Sequence, residues 1–157
     1  MARRYLLFIF VFFSWFVFCA LTVQPRTDQP KWEAYSLDKV KASLAQHKPV
    51  IIDYSAEWCP GCYILDEKIL TDPRITGKLA QITTLRVDAT DMESPQVQTL
   101  IDQYQVVGLP TVLFLDAKGN EIKKARIEGA GPVEEFLQSF QWLAQENQIT
   151  FKENKGN

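Results

Sequence analysis

Apolar and polar residues divide the chain into distinct regimes. Residues 5–23, YLLFIFVFFSWFVFCALTV, carry no charge over 19 positions. As a helix they reach roughly 28 Å at about 1.5 Å per residue, close to the hydrocarbon thickness of a bilayer. Residues 24–31, QPRTDQPK, are polar with two prolines and read as a linker. From 32 to 145, short apolar runs alternate with amphipathic ones, which predicts one packed domain. Residues 146–157 turn polar again and read as a loose tail.

Inside the domain the periodicity changes from segment to segment. SLDKVKASLAQHK (36–48) puts Leu37, Val40 and Leu44 on one face behind Ser36, an N-cap, and predicts a helix. PVIIDYS (49–55) is a short β-branched run, hence a buried strand. YILDEKIL (63–70) and DPRITGKLAQ (72–81) read as helices, and ITTLRVDA (82–89) as a strand. In SPQVQTLIDQY (94–104), Ser94 caps a helix whose first position is Pro95. TVLFLD (111–116) and EIKKARIEG (121–129) are expected to form an antiparallel hairpin around Gly119-Asn120. PVEEFLQSFQWLAQ (132–145) closes the domain as an amphipathic helix. Strands alternating with helices predict an α/β fold, a central mixed sheet flanked by helices.

Composition narrows the partners. Hydrophobic residues make up 46% and charged residues 23%, which fits a globular core. Net charge is −2, so there is no basic field for nucleic acid. Past Arg3 and Arg4 the chain holds 15 basic and 19 acidic residues, a net of −4. For residues 1–23 a cleaved signal peptide competes with an anchor, but FCA puts Phe18 where a cleavage site or a lipoprotein signal wants a small residue. An uncleaved transmembrane helix is expected. Arg3 and Arg4 favour a cytoplasmic N-terminus, and Arg26 and Lys31 blunt that asymmetry. Of the three cysteines, Cys19 falls in the apolar run, as a lipid-facing or packing residue.

The chemistry concentrates in EWCPGCY, residues 57–63. Structural zinc wants four ligands, and one Cys-x-x-Cys pair with a single histidine, His47, does not supply them. His47 reads as a solvated helix end. A purely structural bridge between Cys59 and Cys62 closes too small a loop to constrain the unfolded chain. Electron transfer explains more. Cys59 follows a strand and precedes a helix, so free N–H groups and the positive helix end favour its thiolate. Cys59 is then the solvent-facing, attacking sulfur, and Cys62, one turn on and less exposed, resolves the mixed disulfide. Asp53, in the preceding strand, is the expected proton acceptor for Cys62, with Asp66 as a second candidate. Pro110 opens the strand at 111. A cis Leu109–Pro110 bond would aim the backbone of Leu109 at an extended substrate chain, with Trp58 covering the motif's edge. A paired-cysteine domain is most useful where disulfides form, which places it in a periplasm.

Together these residues resemble the thioredoxin superfamily over roughly residues 32–143: the strand with Asp53, Trp58-Cys59-Pro60-Gly61-Cys62, and Gly108-Leu109-Pro110-Thr111. Within it the chain is most similar to the periplasmic C-terminal domain of the DsbD family of transmembrane disulfide reductases, through KPVIIDYSAEWCPGCY, DPRITGKLA and GLPTVLFLDAKGNE. Cys59, Cys62, Asp53 and Pro110 match that family's motif. Asp66 falls where it usually has a glutamate, and Thr84 about where thioredoxins proper have a lysine. The pair Pro60-Gly61 differs from both families. The resemblance implies a membrane-anchored protein-disulfide reductase of a bacterial inner membrane, single-pass, with its domain in the periplasm. It implies no cofactor beyond a redox-active Cys59–Cys62 disulfide. The expected donor is a separate DsbD- or CcdA-like membrane protein. The expected clients are periplasmic disulfide proteins, such as cytochrome c maturation factors or disulfide isomerases. A thiol oxidase or isomerase with the same motif, and a non-catalytic thioredoxin-fold binding module, are the alternatives.

Overall fold

The computed structural model describes residues 30–152. The predicted anchor and nearly all of the linker lie outside the described residues. Among those described, no helix is long and apolar enough to cross a membrane.

Among the described residues, five strands form one mixed sheet. In chain order they are β1 (Glu33–Ala34), β2 (Val50–Ser55), β3 (Thr83–Asp88), β4 (Thr111–Leu115) and β5 (Ile127–Glu128). Their spatial order is β1-β3-β2-β4-β5. β3 runs parallel to both β1 and β2, while β4 is antiparallel to β2 and β5. Helices α1 (Leu37–Ala45), α2 (Pro60–Ile64), α3 (Pro73–Leu79), α4 (Pro95–Tyr104) and α5 (Val133–Asn147) cover the sheet. β2 and β4 lie centrally and are apolar at almost every position, because both of their faces are covered. Ile51, Val112 and Phe114 meet α3 and α5 through Ile75, Leu79, Phe136, Phe140 and Leu143. Val50, Ile52, Tyr54, Leu113 and Leu115 join the opposite cluster with Val40.

The helix starts follow their cap residues. Ser36 accepts from the Lys39 amide at 3.2 Å, Asp72 from Arg74 at 2.8 Å and Ser94 from Val97 at 3.4 Å. Pro73 and Pro95 occupy opening positions where no N–H is needed.

Four segments differ from expectation. β1 adds an edge strand where the linker was expected to run straight into a helix. The stretch 63–70 is not one α-helix. A π turn, Leu65–Ile69, follows α2, and the Leu70 amide bonds the Leu65 carbonyl at 2.9 Å. The strand expected over 121–129 is interrupted by a 3-10 turn, Lys123–Ala125. Ile122 and Ala125 both enter the core there, and a spacing of three suits a turn rather than a two-residue pleat. Arg126 holds that turn by pairing with Glu121 at 2.7 Å and donating to the Tyr104 and Gln105 carbonyls at the end of α4. Last, of the segment read as a loose tail, the described part, 146–152, folds back. Phe151 meets Phe140 edge-on at 5.4 Å, and the Gln81 side chain bonds both the amide and the carbonyl of Lys152, at 2.9 and 3.1 Å.

Phe140 is fully buried and meets both Phe114 and Phe151 edge to face. Phe140→Ala is expected to cost about 3–5 kcal/mol in urea unfolding. Phe151→Ala, at the partly covered end, is expected to cost about 1–2 kcal/mol.

Candidate functional site

The site is built at the junction of β2 and α2. β2 ends at Ser55, and the chain turns so that the Cys59 amide bonds the Ala56 carbonyl at 3.1 Å. Cys59 is the N-cap of α2, and Pro60 takes the first helical position. The Cys62 amide points at the Cys59 sulfur, 3.1 Å away. Cys59 and Cys62 are joined in a disulfide.

The cis-proline loop closes one side. The Leu109–Pro110 bond is cis, and Leu109 packs on Ala56, Cys59 and Cys62. Gly61 lies directly under Pro110, and a Cβ at that position would sit 3.0 Å from the proline Cδ. Glycine at 61 therefore lets the loop approach the disulfide. The Pro110 carbonyl accepts from Gly129 at 2.8 Å, and the Thr111 hydroxyl bonds the Gly108 carbonyl at 2.7 Å. On the other side, Thr90 fixes the motif's approach. Its carbonyl accepts from the Trp58 indole at 2.9 Å and its hydroxyl from the Glu57 amide at 3.0 Å. Trp58, Tyr63, Ile64 and Val107 are exposed apolar side chains on the segments around the cysteines.

Neither sulfur faces solvent freely. Cys59 is 6% exposed and Cys62 3%, so the expected solvent-facing first cysteine is only marginally the more open of the two. Leu109 and Ala56 account for the cover. A cleft of about 350 Å³ reaches both through walls that include Glu57, Tyr63, Asp66 and Arg86.

Below the cleft lies a three-membered ion cluster. Asp53 is completely buried on β2. The parallel register sets it opposite Arg86 on β3. Arg86 Nε donates to Asp53 Oδ2 at 2.8 Å, and Nη2 of the same guanidinium lies 2.8 Å from that oxygen as an ion pair. Its other edge grips both oxygens of Asp66 on the π turn. Asp53 does not line the cleft, and is joined to it through Arg86. Burial pushes the Asp53 carboxyl up to about 7; the nearby Asp66 charge adds to the rise and Arg86 opposes it. Among the described residues Oδ1 of Asp53 has no hydrogen-bond partner, so it is the oxygen open to a proton.

Arg86 went unnoticed in the sequence, although the signal is there. Asp53 is the fourth residue of β2 and Arg86 the fourth of β3, so parallel neighbours starting level must face one another. Thr84 lies away from Asp53 in the register, opposite Ile51, and donates to the Lys31 carbonyl at 3.1 Å. His47 lies beyond α1 at φ 54, away from the cleft walls. Among the described residues, no group of three or more His, Cys, Asp or Glu is placed to hold a metal ion.

A family model described as a thioredoxin-like domain matches residues 37–144. The thiol:disulfide interchange protein DsbD of Yersinia pestis is 34% identical over 121 residues, which cover 77% of this chain and 19% of that protein. DsbD of Haemophilus ducreyi is 34% identical over 131 residues, 82% of this chain and 22% of the relative. The chain thus spans about a fifth of the length of these curated relatives. Among solved structures, a thioredoxin from Thermus thermophilus superposes with a TM-score of 0.64 at 25% identity, over 76% of this chain and 90% of that one. The oxidised C-terminal domain of Neisseria meningitidis DsbD gives 0.59 at 22% identity, over 74% and 99%, and shares the fold.

Asp53 holds its proton to about 7 when folded, against roughly 3.9 for a free aspartate. The stability it contributes is full below pH 4 and is lost as pH rises through 7, by up to about 4 kcal/mol. Urea unfolding from pH 4 to 8 is expected to show the native protein losing ground to Asp53→Asn up to about pH 7 and levelling off above it. A constant difference between the two would contradict the burial account.

Proposed function

The chain belongs to the thioredoxin-like family, and on that premise we propose that it is a membrane-anchored periplasmic protein-disulfide reductase. One observation carries the reading: the Cys59–Cys62 disulfide sits at a helix N-cap beside an ion cluster that contains a buried acid of near-neutral proton affinity.

The exchange follows from that placement. In the reduced protein, the Cys62 amide and the start of α2 stabilise a thiolate on Cys59. This thiolate attacks one sulfur of a client disulfide. A bond forms between Cys59 and that sulfur, and the other client sulfur leaves as a thiolate. Cys62 gives its proton toward Asp53 and attacks the Cys59 sulfur. The Cys59–Cys62 disulfide closes and the second client sulfur departs, so two electrons have moved to the client. A dithiol donor of the DsbD or CcdA type restores the pair by the same steps in reverse and leaves as its own disulfide. The cis-proline loop and the exposed Trp58, Tyr63 and Val107 offer the client an extended backbone edge and an apolar footing.

Charge supports the reducing direction. Two carboxylates, Asp53 and Asp66, share one cation, Arg86. Once Asp53 is ionised, above about pH 7, the surplus negative charge disfavours a thiolate nearby, and hence the reduced pair. A pair whose reduced form is disfavoured gives its electrons away. The likeness to DsbD proteins points the same way, though it spans only about a fifth of their length. The uncharged run 5–23 supplies the anchor.

Insulin reduction driven by a small dithiol tests the chemistry. Cys59→Ser is expected to abolish it, and Cys62→Ala to accumulate a mixed disulfide. Asp53→Asn is expected to slow resolution on the order of a hundredfold near neutral pH. The resolution rate should rise with pH through about 7, as Asp53 ionises. Full turnover in Cys59→Ser removes the mechanism, and a glutathione-referenced potential in the range of strong oxidants reverses its direction. In bacterial cells the full chain is expected to resist carbonate extraction from membranes, with its reduced cysteines labelled by a membrane-impermeant thiol reagent. Release into the carbonate supernatant would remove the anchor.

A further inference from the structure

The described chain enters its first strand against the ion cluster. The Trp32 amide donates to the Pro30 carbonyl at 3.0 Å. The Thr84 hydroxyl holds the Lys31 carbonyl, and the Tyr35 amide bonds the Arg86 carbonyl at 2.8 Å. These bonds lay Trp32 across Arg86, whose guanidinium carbon is 5.1 Å from the centre of the indole ring. The ring also packs on the main core. Among the described residues its buried Nε1 has no hydrogen-bond partner, and the side chain is held there by its ring. A guanidinium over an indole face is attracted by the ring quadrupole and shielded from water on that side. Arg86 thus has a face on Trp32 and its edges on Asp53 and Asp66.

We propose that Trp32 is a positioning residue of the redox site: its ring face holds the Arg86 guanidinium in the one orientation that reaches Asp53 and Asp66 together. The inference rests on the reading of Asp53 as proton acceptor, and makes the strength of that acceptor depend on the segment through which the chain enters the domain. The charged groups bearing on Asp53 are Arg86 from β3 and Asp66 from the π turn, while β4 faces it with Val112. Without the ring, Arg86 turns toward solvent. Asp53 then loses the cation that opposes its burial and keeps its proton to higher pH.

Two substitutions separate the ring's face from its bulk. Trp32→Phe keeps an aromatic face, and Trp32→Leu keeps apolar filling without one. The first readout is hydrogen exchange at the Arg86 Nε–H, followed by NMR. The second is the pH midpoint of mixed-disulfide resolution. Trp32→Leu is expected to speed exchange about tenfold and to raise the midpoint by about half a pH unit. Trp32→Phe should leave both near their native values. In an Arg86→Gln background, Trp32→Leu should no longer move the midpoint. Native exchange in Trp32→Leu, or a shift that persists without Arg86, overturns the inference. If exchange speeds up but Asp53→Asn leaves the native pH profile unaltered, Trp32 still positions Arg86, and the acceptor role of Asp53 is what fails.

Discussion

A carboxylate buried in the middle strand of a sheet is tolerable only with a partner, and Arg86 is that partner. Asp53 has no exposed surface, and its nearest strand neighbours on β2 and β4 are apolar. Taking away one side of such a pair typically costs about 3–5 kcal/mol. The constraint reaches well beyond one contact. It requires β2 and β3 to run parallel in the register that sets Asp53 opposite Arg86. It also draws in the π turn after α2, because the far edge of the same guanidinium holds Asp66. One arginine therefore ties the central strand, its neighbour and the active-site helix into a single unit.

The redox pair sits on top of that unit. Two influences act on its sulfurs with opposite sign. The amide of Cys62 and the start of α2 favour negative charge at Cys59, whereas the carboxylates behind it oppose negative charge. The balance sets how readily the dithiol surrenders electrons. Leu109 covers the sulfurs, Pro110 lies against Gly61, and Thr90 pins Trp58 beside the motif.

What was legible in the sequence was whatever a short stretch encodes alone. The cap residues Ser36 and Ser94, the apolar runs of β2 and β4 and the Cys-Pro-Gly-Cys junction each announce themselves within ten residues. Asp53 stood out because a charge within VIIDYS has nowhere to go but inward. What escaped depends on pairing between distant segments. β1 is two residues long and exists only because β3 offers it an edge. The break in 121–129 reflects where Ile122 and Ala125 find core space, and Arg126 finds the end of α4. Arg86 lies in an ordinary-looking strand and gains meaning only from the parallel register with Asp53. The fold-back of Phe151 needs Phe140 and Gln81, eleven and seventy residues away.

The most direct measurement is an NMR titration of the Asp53 carboxyl carbon in the oxidised full chain. Burial against a shared arginine predicts a midpoint of about 7. A midpoint near 4, ordinary for an aspartate, would mean the group is solvated or fully neutralised by Arg86, and would contradict the account of how this site handles its proton.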